Sequence, residues 1–212
     1  MNFKKERYKI LSEKVLKALE SKNYEAYFCE TVNEAKEKIL SLIPKGDTVS
    51  WGGSFSMQEA GVIDAVRAGD FKVLDRDMAK TPEEKQELMR KALTCDTYLA
   101  SVNAIAEDGT MINIDGNGNR IAAIAYGPKS VILLVGMNKL AKTREDAITR
   151  ARNVAAPTNT IRFGLSNLPC HKTGSCGNCN MPECICSQIV EMRRNKIDGR
   201  IKVVLVNEDL GF

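Results

Sequence analysis

Two rhythms of apolar residues alternate along this chain. Tyr8, Leu11, Val15 and Leu19 recur at helical spacing and predict an amphipathic first helix. Asn23–Cys29 reads as a short strand. Val32, Ala35, Ile39 and Leu42 form a second helical stripe. It is opened by Thr31-x-x-Glu34, a pattern in which hydroxyl and carboxyl satisfy free amides of the first turn, and it is ended by Pro44-Lys-Gly46. Asp47–Trp51 is a strand, and Ser56-x-x-Glu59 predicts a capped helix to about Ala68. Phe71–Leu74 is a strand. Thr81-Pro82-Glu83-Glu84 sets a cap, a first-turn proline and two acids ahead of a helix to about Leu93. Thr97–Ala100 and Ser130–Val135 are apolar runs of strand length. Between them, Ile105–Ile114 reads as two strands joined by a tight turn at Asp108–Gly109. Arg144–Val154 is helical, with Ala147, Ile148, Ala151 and Val154 on one face. Ile185–Arg194 is extended, and Ile201–Val206 is the last strand.

Strands alternating with helices predict an α/β fold with a largely parallel sheet flanked by helices. The Ile105–Ile114 hairpin inserts antiparallel character. No internal repeat or low-complexity linker divides the chain, so residues 1–212 are expected to form a single domain, with a cysteine-rich loop at 170–186 inside it.

Composition narrows the function classes. The net charge is +4, from 31 Lys+Arg against 27 Asp+Glu, and the excess is spread along the chain. It gives no basic tract and no aromatic spacing of the kind nucleic acid requires, so no nucleic-acid partner is expected. A small anionic metabolite is compatible with it. No apolar run approaches the ~20 residues that span a membrane, and the first twenty residues lack the apolar core of a secretory signal. A cytoplasmic protein is expected. Seven cysteines in a reducing compartment point to metal ligands or thiols before disulfides.

Three stretches carry candidate chemistry. Gly52-Gly53-Ser54, with Ser56, follows a strand and opens a helix. Glycines there let backbone amides approach a phosphate or carboxylate, although a plain β–α turn would use the same residues. The segment from Asn103 to Arg120 gathers amides, carboxylates and a guanidinium. Alternation sends Asn113 and Asp115 to one strand face. Asn103, Asn113 and Arg120 are candidate ligand contacts, Arg120 as a bidentate clamp. Glu107, Asp115 and Arg120 are the candidate catalytic groups, the two carboxylates as an acid–base pair. Lys129 and Lys139, near the ends of the following strand, read as solvated. The third stretch is CHKTGSCGNCNMPECIC, holding Cys170, Cys176, Cys179, Cys184 and Cys186. Cys176-x-x-Cys179 is a chelating knuckle, and four thiolates suit zinc or an iron–sulfur cluster. A redox dithiol uses the same spacing. Cys29 and Cys95, beside apolar strands, read as packing residues. With one histidine, His171, placed beside Cys170, a Ser-His-Asp apparatus elsewhere is excluded. No NAD or flavin motif is visible.

The segment AIAEDGTMINIDGNGNRIAAIAYGPKSVILLVGMNKL resembles the LUD (lactate-utilisation) domain family, and the resemblance extends over nearly all of the chain. It implies a fold similar to ribose-phosphate isomerases, sugar-phosphate deaminases and CoA transferases (NagB/RpiA-like), in which the glycine turn at Gly52–Ser54 holds a ligand phosphate or acyl group. The cysteine stretch resembles the form CxxTGxCxxCxxxxxxC of single-domain relatives. That match makes Cys170, Cys176, Cys179 and Cys186 the metal set, with Cys184 as an alternative ligand. The resemblance implies an accessory or electron-transfer component in L-lactate utilisation, where lactate is oxidised to pyruvate, working with an iron–sulfur or flavin oxidoreductase partner. Two other readings stay open: a stand-alone enzyme or sensor for a phosphorylated or CoA-linked metabolite, and an interaction protein stapled by zinc. The sequence does not encode the oligomeric state.

Overall fold

A computed structural model describes residues 2–212. The Asn2 side chain caps α1 (Phe3–Ser21), which turns Tyr8, Val15 and Leu19 inward. β1 (Glu25–Cys29) is followed by α2 (Val32–Ser41), whose cap Thr31 accepts from the Glu34 amide. β2 (Thr48–Trp51) runs through the glycine turn into α3 (Phe55–Glu59) and α4 (Val62–Ala68). β3 (Lys72–Val73), α5 (Pro82–Lys91) and β4 (Thr97–Ala100) come next. The hairpin β5 (Ala104–Ala106) and β6 (Met111–Asp115) leads to α6 (Asn119–Ala125) and β7 (Ser130–Gly136). β8 (Leu140–Ala141) precedes α7 (Arg144–Arg150), a π-helical turn at Ala151–Ala155 and α8 (Ala156–Arg162). The chain ends with α9 (Pro169–Thr173), β9 (Gln188–Met192) and β10 (Ile201–Val206).

Six strands form a wholly parallel sheet in the order β1-β10-β7-β4-β2-β3. Successive residues serve opposite faces. Val131, Leu133, Val135, Val203 and Leu205 pack toward α1 and α6, while Ile132, Leu134, Val204 and Val206 pack toward α2 and α4. Helices cover both faces, so the central strands are unbroken apolar runs rather than alternating ones.

The hairpin does not enter this sheet. It builds a second one, β8-β5-β6-β9, with antiparallel β5–β6 and β6–β9 pairs and a parallel β5–β8 pair. Ala147, Ala151 and Ala156 pack on its apolar residues.

Two of the expected helices differ in their boundaries. Ser54, not Ser56, caps α3, and Gly61 with φ 66° breaks the helix expected to reach Ala68. Glu59 closes no capping box; its carboxylate accepts from the Gly211 amide instead. The helix from Arg144 runs past Val154 to Arg162. The π turn stands directly ahead of Pro157, whose missing N–H and ring bulk preclude a regular bond to Asn153. Among the described residues, no helix is long and apolar enough to cross a membrane.

Candidate functional site

The C-terminal ends of β2, β4 and β7 open on a cavity of about 590 Å³, the edge where open α/β sheets bind ligands. Gly53, Ser54, Ser56, Ser101, Asn103 and Asp115 line it. Five cationic side chains (Arg76, Lys85, Arg120, Lys139 and Arg162) face two carboxylates, Asp115 and Glu183. That imbalance gives the cleft a positive potential.

The glycine turn sits where the sequence placed it, but its two glycines do different things. A Cβ on Gly52 would stand 3.1 Å from Arg120 Cγ and Cδ and from the Tyr98 hydroxyl, so Gly52 makes room for packing. Gly53 faces the cavity. A Cβ there would lie 3.2 Å from Arg76 Nη2 and 3.9 Å from Arg162 Nη2. Two guanidiniums thus converge on one bare backbone. Arg162 Nη2 donates to Gly53 O at 3.2 Å, while Arg76 Nε lies 3.6 Å from Asp77 Oδ1. The Nε atoms of both arginines are buried without a hydrogen-bond partner among the described residues. Burial and the neighbouring Arg76 charge lower the pKa of Arg162.

Arg120 is a wall rather than a free hand. Nη1 donates to Ser101 O (2.9 Å) and Asn113 Oδ1 (2.7 Å). Nη2 donates to Asn103 Oδ1 (3.0 Å) and Ile114 O (2.7 Å), and Nε stands 3.3 Å from Asp115 Oδ2. A guanidinium has five N–H donors, so this arrangement leaves none for a ligand clamp. Asn113 and Asp115 do share a strand face, and that face holds Arg120. Asp115 Oδ1 also accepts from the Asn117 and Gly118 amides. Of the two expected asparagine contacts, Asn103 reaches the cavity, while Asn113 is fully buried behind it.

Glu107 stands apart. It pairs with Lys14 (2.7 Å) and Lys142 (3.1 Å), and the Lys14 hydrogen bond leads in holding its pKa below the ordinary value. It does not line the cavity, so the expected Glu107–Asp115 acid–base pair does not form.

Lys139, read from the sequence as solvated, is only 3 % exposed. Its Nζ donates to Ser56 Oγ (2.8 Å), Ser101 Oγ (3.0 Å) and Val102 O (3.3 Å). Burial, then the charges of Arg150 and Arg120, push its pKa down to about 7, against a smaller upward pull from Glu59. Lys129 does sit in solvent, paired with Asp96 at 2.8 Å. The signal available for Lys139 was its position just past the C-terminal end of a core strand.

The cysteines converge on a second cavity of about 200 Å³. Cys170, Cys176, Cys179, Cys184 and Cys186 all line it. The π turn feeds this loop: Arg152 Nη2 stands 3.5 Å from Cys176 Sγ, and Asn153 Oδ1 accepts from the Cys176 amide at 3.4 Å. Burial, then Cys184, pushes the Cys186 thiol up to about 12. All seven cysteines are free thiols. Cys29 and Cys95 are buried, as expected for packing residues. Among the described residues, no three His, Cys, Asp or Glu side chains stand in a metal-holding arrangement. Ala156, Cys184 and Ile185 line both cavities, so anion cleft and thiol cavity share a wall.

Among solved structures, the chain is similar to a DUF162 family protein from Deinococcus radiodurans. The TM-score is 0.56 at 10 % identity, covering 94 % of this chain and 98 % of that one, a likeness of fold. A partial likeness to eIF2B beta from Chaetomium thermophilum has a TM-score of 0.39 at 17 % identity. It covers 54 % of this chain and 44 % of that one, too loosely to carry an argument. No curated protein matches the chain. A family model for the LUD domain matches residues 12–206, nearly the whole length, and the chain belongs to the LUD domain family.

Proposed function

We propose that this LUD-domain protein is a small-anion-binding component of lactate utilisation, taking a carboxylate- or phosphate-bearing metabolite in the cleft at Gly53. One observation carries the reading: Arg76 Nη2 and Arg162 Nη2 converge on the same glycine at the cleft wall, while the buried Nε atoms behind them find no hydrogen-bond partner among the described residues. Buried donors in folded proteins are almost always paired. A ligand oxygen between the two Nη2 atoms would accept from both and relieve the mutual repulsion of the guanidiniums.

The thiol cavity next door supports a redox or metal role beside that cleft. Its donor set suits zinc or an iron–sulfur cluster. Cys170, Cys176, Cys179 and Cys186, with Cys184 as the alternative, would hold either once the loop draws its thiols together. Zinc would fix the loop, whereas an iron–sulfur cluster would pass electrons to an iron–sulfur or flavin partner. A stand-alone enzyme or sensor for a phosphorylated or CoA-linked metabolite is favoured by the same arginine pair if the larger ligand proves the tighter.

Thermal-shift titration with L-lactate, pyruvate, inorganic phosphate, a sugar phosphate and a CoA ester tests the reading. Stabilisation by at least one of these anions, lost in the Arg76→Gln/Arg162→Gln double variant, is expected. No shift with any of them would remove the proposal.

A further inference from the structure

Ser56 and Lys139 form a buried polar pair on the cleft floor that anion binding does not use. Ser56 is 1 % exposed, and its hydroxyl lies 2.8 Å from Lys139 Nζ. Among the described residues, no carboxylate is bonded to this amine. The charged groups facing it are Arg150 on α7, Arg120 on α6 and Glu59 on α3. The hydrogen bonds settle what happens when Lys139 loses a proton. Its lone pair then needs a donor from the three groups around it. Val102 O has no proton to give. Ser101 Oγ donates to Leu134 O at 2.6 Å. Ser56 alone is free to turn, because its other acceptors, Leu210 O and Ser101 Oγ, are 3.4 and 3.5 Å away. The neutral amine therefore donates to Ser101 and Val102 and accepts from Ser56. Gly211, at φ 60°, packs beside the pair, and a Cβ there would fall 2.3 Å from Ser56 Oγ.

We propose that Ser56 and Lys139 are a nucleophile–base pair for acyl transfer, acting on an ester or thioester whose anionic part sits at Arg76 and Arg162. In this step Ser56 Oγ bonds to the acyl carbon and its proton passes to Lys139 Nζ. The C–O or C–S bond to the leaving group breaks, and the departing alkoxide or thiolate takes that proton from Lys139. Water, deprotonated by the same amine, then releases the acid and restores Ser56. A lysine titrating near neutrality is a competent base for a serine. The substrate class rests on the anion-binding reading; the pair itself does not.

A fluorophosphonate probe on the intact protein, read by peptide mass spectrometry, tests the pair. The Ser56 O–P bond forms, the P–F bond breaks, and the proton goes to Lys139. Label on Ser56 is expected, with a rate that rises with pH through about 7. Ser56→Ala should abolish it. Lys139→Met should slow it by roughly a hundredfold or more, the scale of general-base catalysis. Lys139→Arg, which keeps the charge but cannot take the proton, should match that loss if Lys139→Met fails to fold. Label on Ser54 or Ser101, no label, a rate flat across neutral pH, or undiminished labelling in a folded Lys139 variant would each overturn the pair. Phosphate titration runs in parallel. Unlabelled protein that still binds phosphate sinks the pair alone, and labelled protein that binds none sinks the anion reading.

Discussion

Replacing Arg120 by alanine should unfold this protein far more readily than it should weaken any ligand. The guanidinium makes four hydrogen bonds to Ser101 O, Asn113, Asn103 and Ile114 O and adds an ion contact to Asp115. Its side chain is 14 % exposed and that of Asp115 is 9 %. Two routes give the magnitude. At about 1 kcal/mol net per hydrogen bond, four bonds are worth roughly 4 kcal/mol. Removing one partner of a buried ion pair costs about 3–5 kcal/mol, because the other charge stays buried and unpaired. The routes agree, and the loss is a large share of the ~5–15 kcal/mol that holds an ordinary domain together. For a chain of this size it corresponds to a fall of roughly 8–16 °C in Tm. Urea unfolding followed by Trp51, the single tryptophan and 1 % exposed, reports it directly. Arg120→Lys should recover little, since an ammonium cannot span acceptors placed for a planar fork. A variant within about 1 kcal/mol of wild type that had lost anion binding would refute this reasoning and restore Arg120 as a ligand clamp.

Gly53→Ala places a methyl 3.2 Å from Arg76 Nη2. It should weaken phosphate binding about tenfold, or ~1.4 kcal/mol, while the urea midpoint stays near wild type; an unchanged isotherm would contradict this. Asp96 has its pKa lowered to about 2, by the Lys129 hydrogen bond first and the Thr48 amide next. A carboxylate depressed in the folded state stabilises above its unfolded value and loses that contribution as pH falls to about 2. Asp96→Asn should therefore flatten the stability curve between about pH 4 and 2, and an unaltered acid arm would count against the ion pair. Lys139 has the same sign in a higher window: between about 7 and its ordinary value of 10.5 the unfolded chain binds more protons, so wild-type stability should rise with pH across that window. A Lys139→Met protein should lack that rise, and denaturant titrations at several pH values would show it. Serine at Cys176 and Cys179 should abolish whatever zinc, or iron with acid-labile sulfide, co-purifies under anaerobic conditions; unchanged metal content would remove the cluster.

Local chemistry made some of this legible in the sequence and tertiary chemistry hid the rest. The strands at Ser130–Gly136 and Ile201–Val206 stand out because both sheet faces are covered and every position is apolar. The caps at Thr31 and Thr81 are visible because hydroxyl and amide lie three residues apart. The start of α3 misled because two serines compete there, and a distant lysine decides between them. Ser54 caps, Ser56 faces Lys139, and Glu59 is drawn to Gly211. The polar stretch at Asn103–Arg120 was visible as a cluster of hydrogen-bonding groups, but Asn103, Asn113 and Asp115 turn toward Arg120 and satisfy it. Arg76 and Arg162 carried no signal because they come from remote segments and meet only at Gly53. The cysteine spacing pointed to a metal site or dithiol; the structure gathers the five thiols around one cavity, and the positions of the sulfurs within it depend on how Cys176 hangs from the π turn at Asn153.

Isothermal titration with inorganic phosphate and L-lactate, at low and physiological salt, tests the central claim most directly in wild type and the Arg76→Gln/Arg162→Gln protein. Saturable one-site binding of at least one anion, weakened by salt and lost in a folded double variant, is the predicted result. Binding that survives the double substitution would place the ligand elsewhere, and no binding of either anion by wild type would contradict the account of the Gly53 cleft.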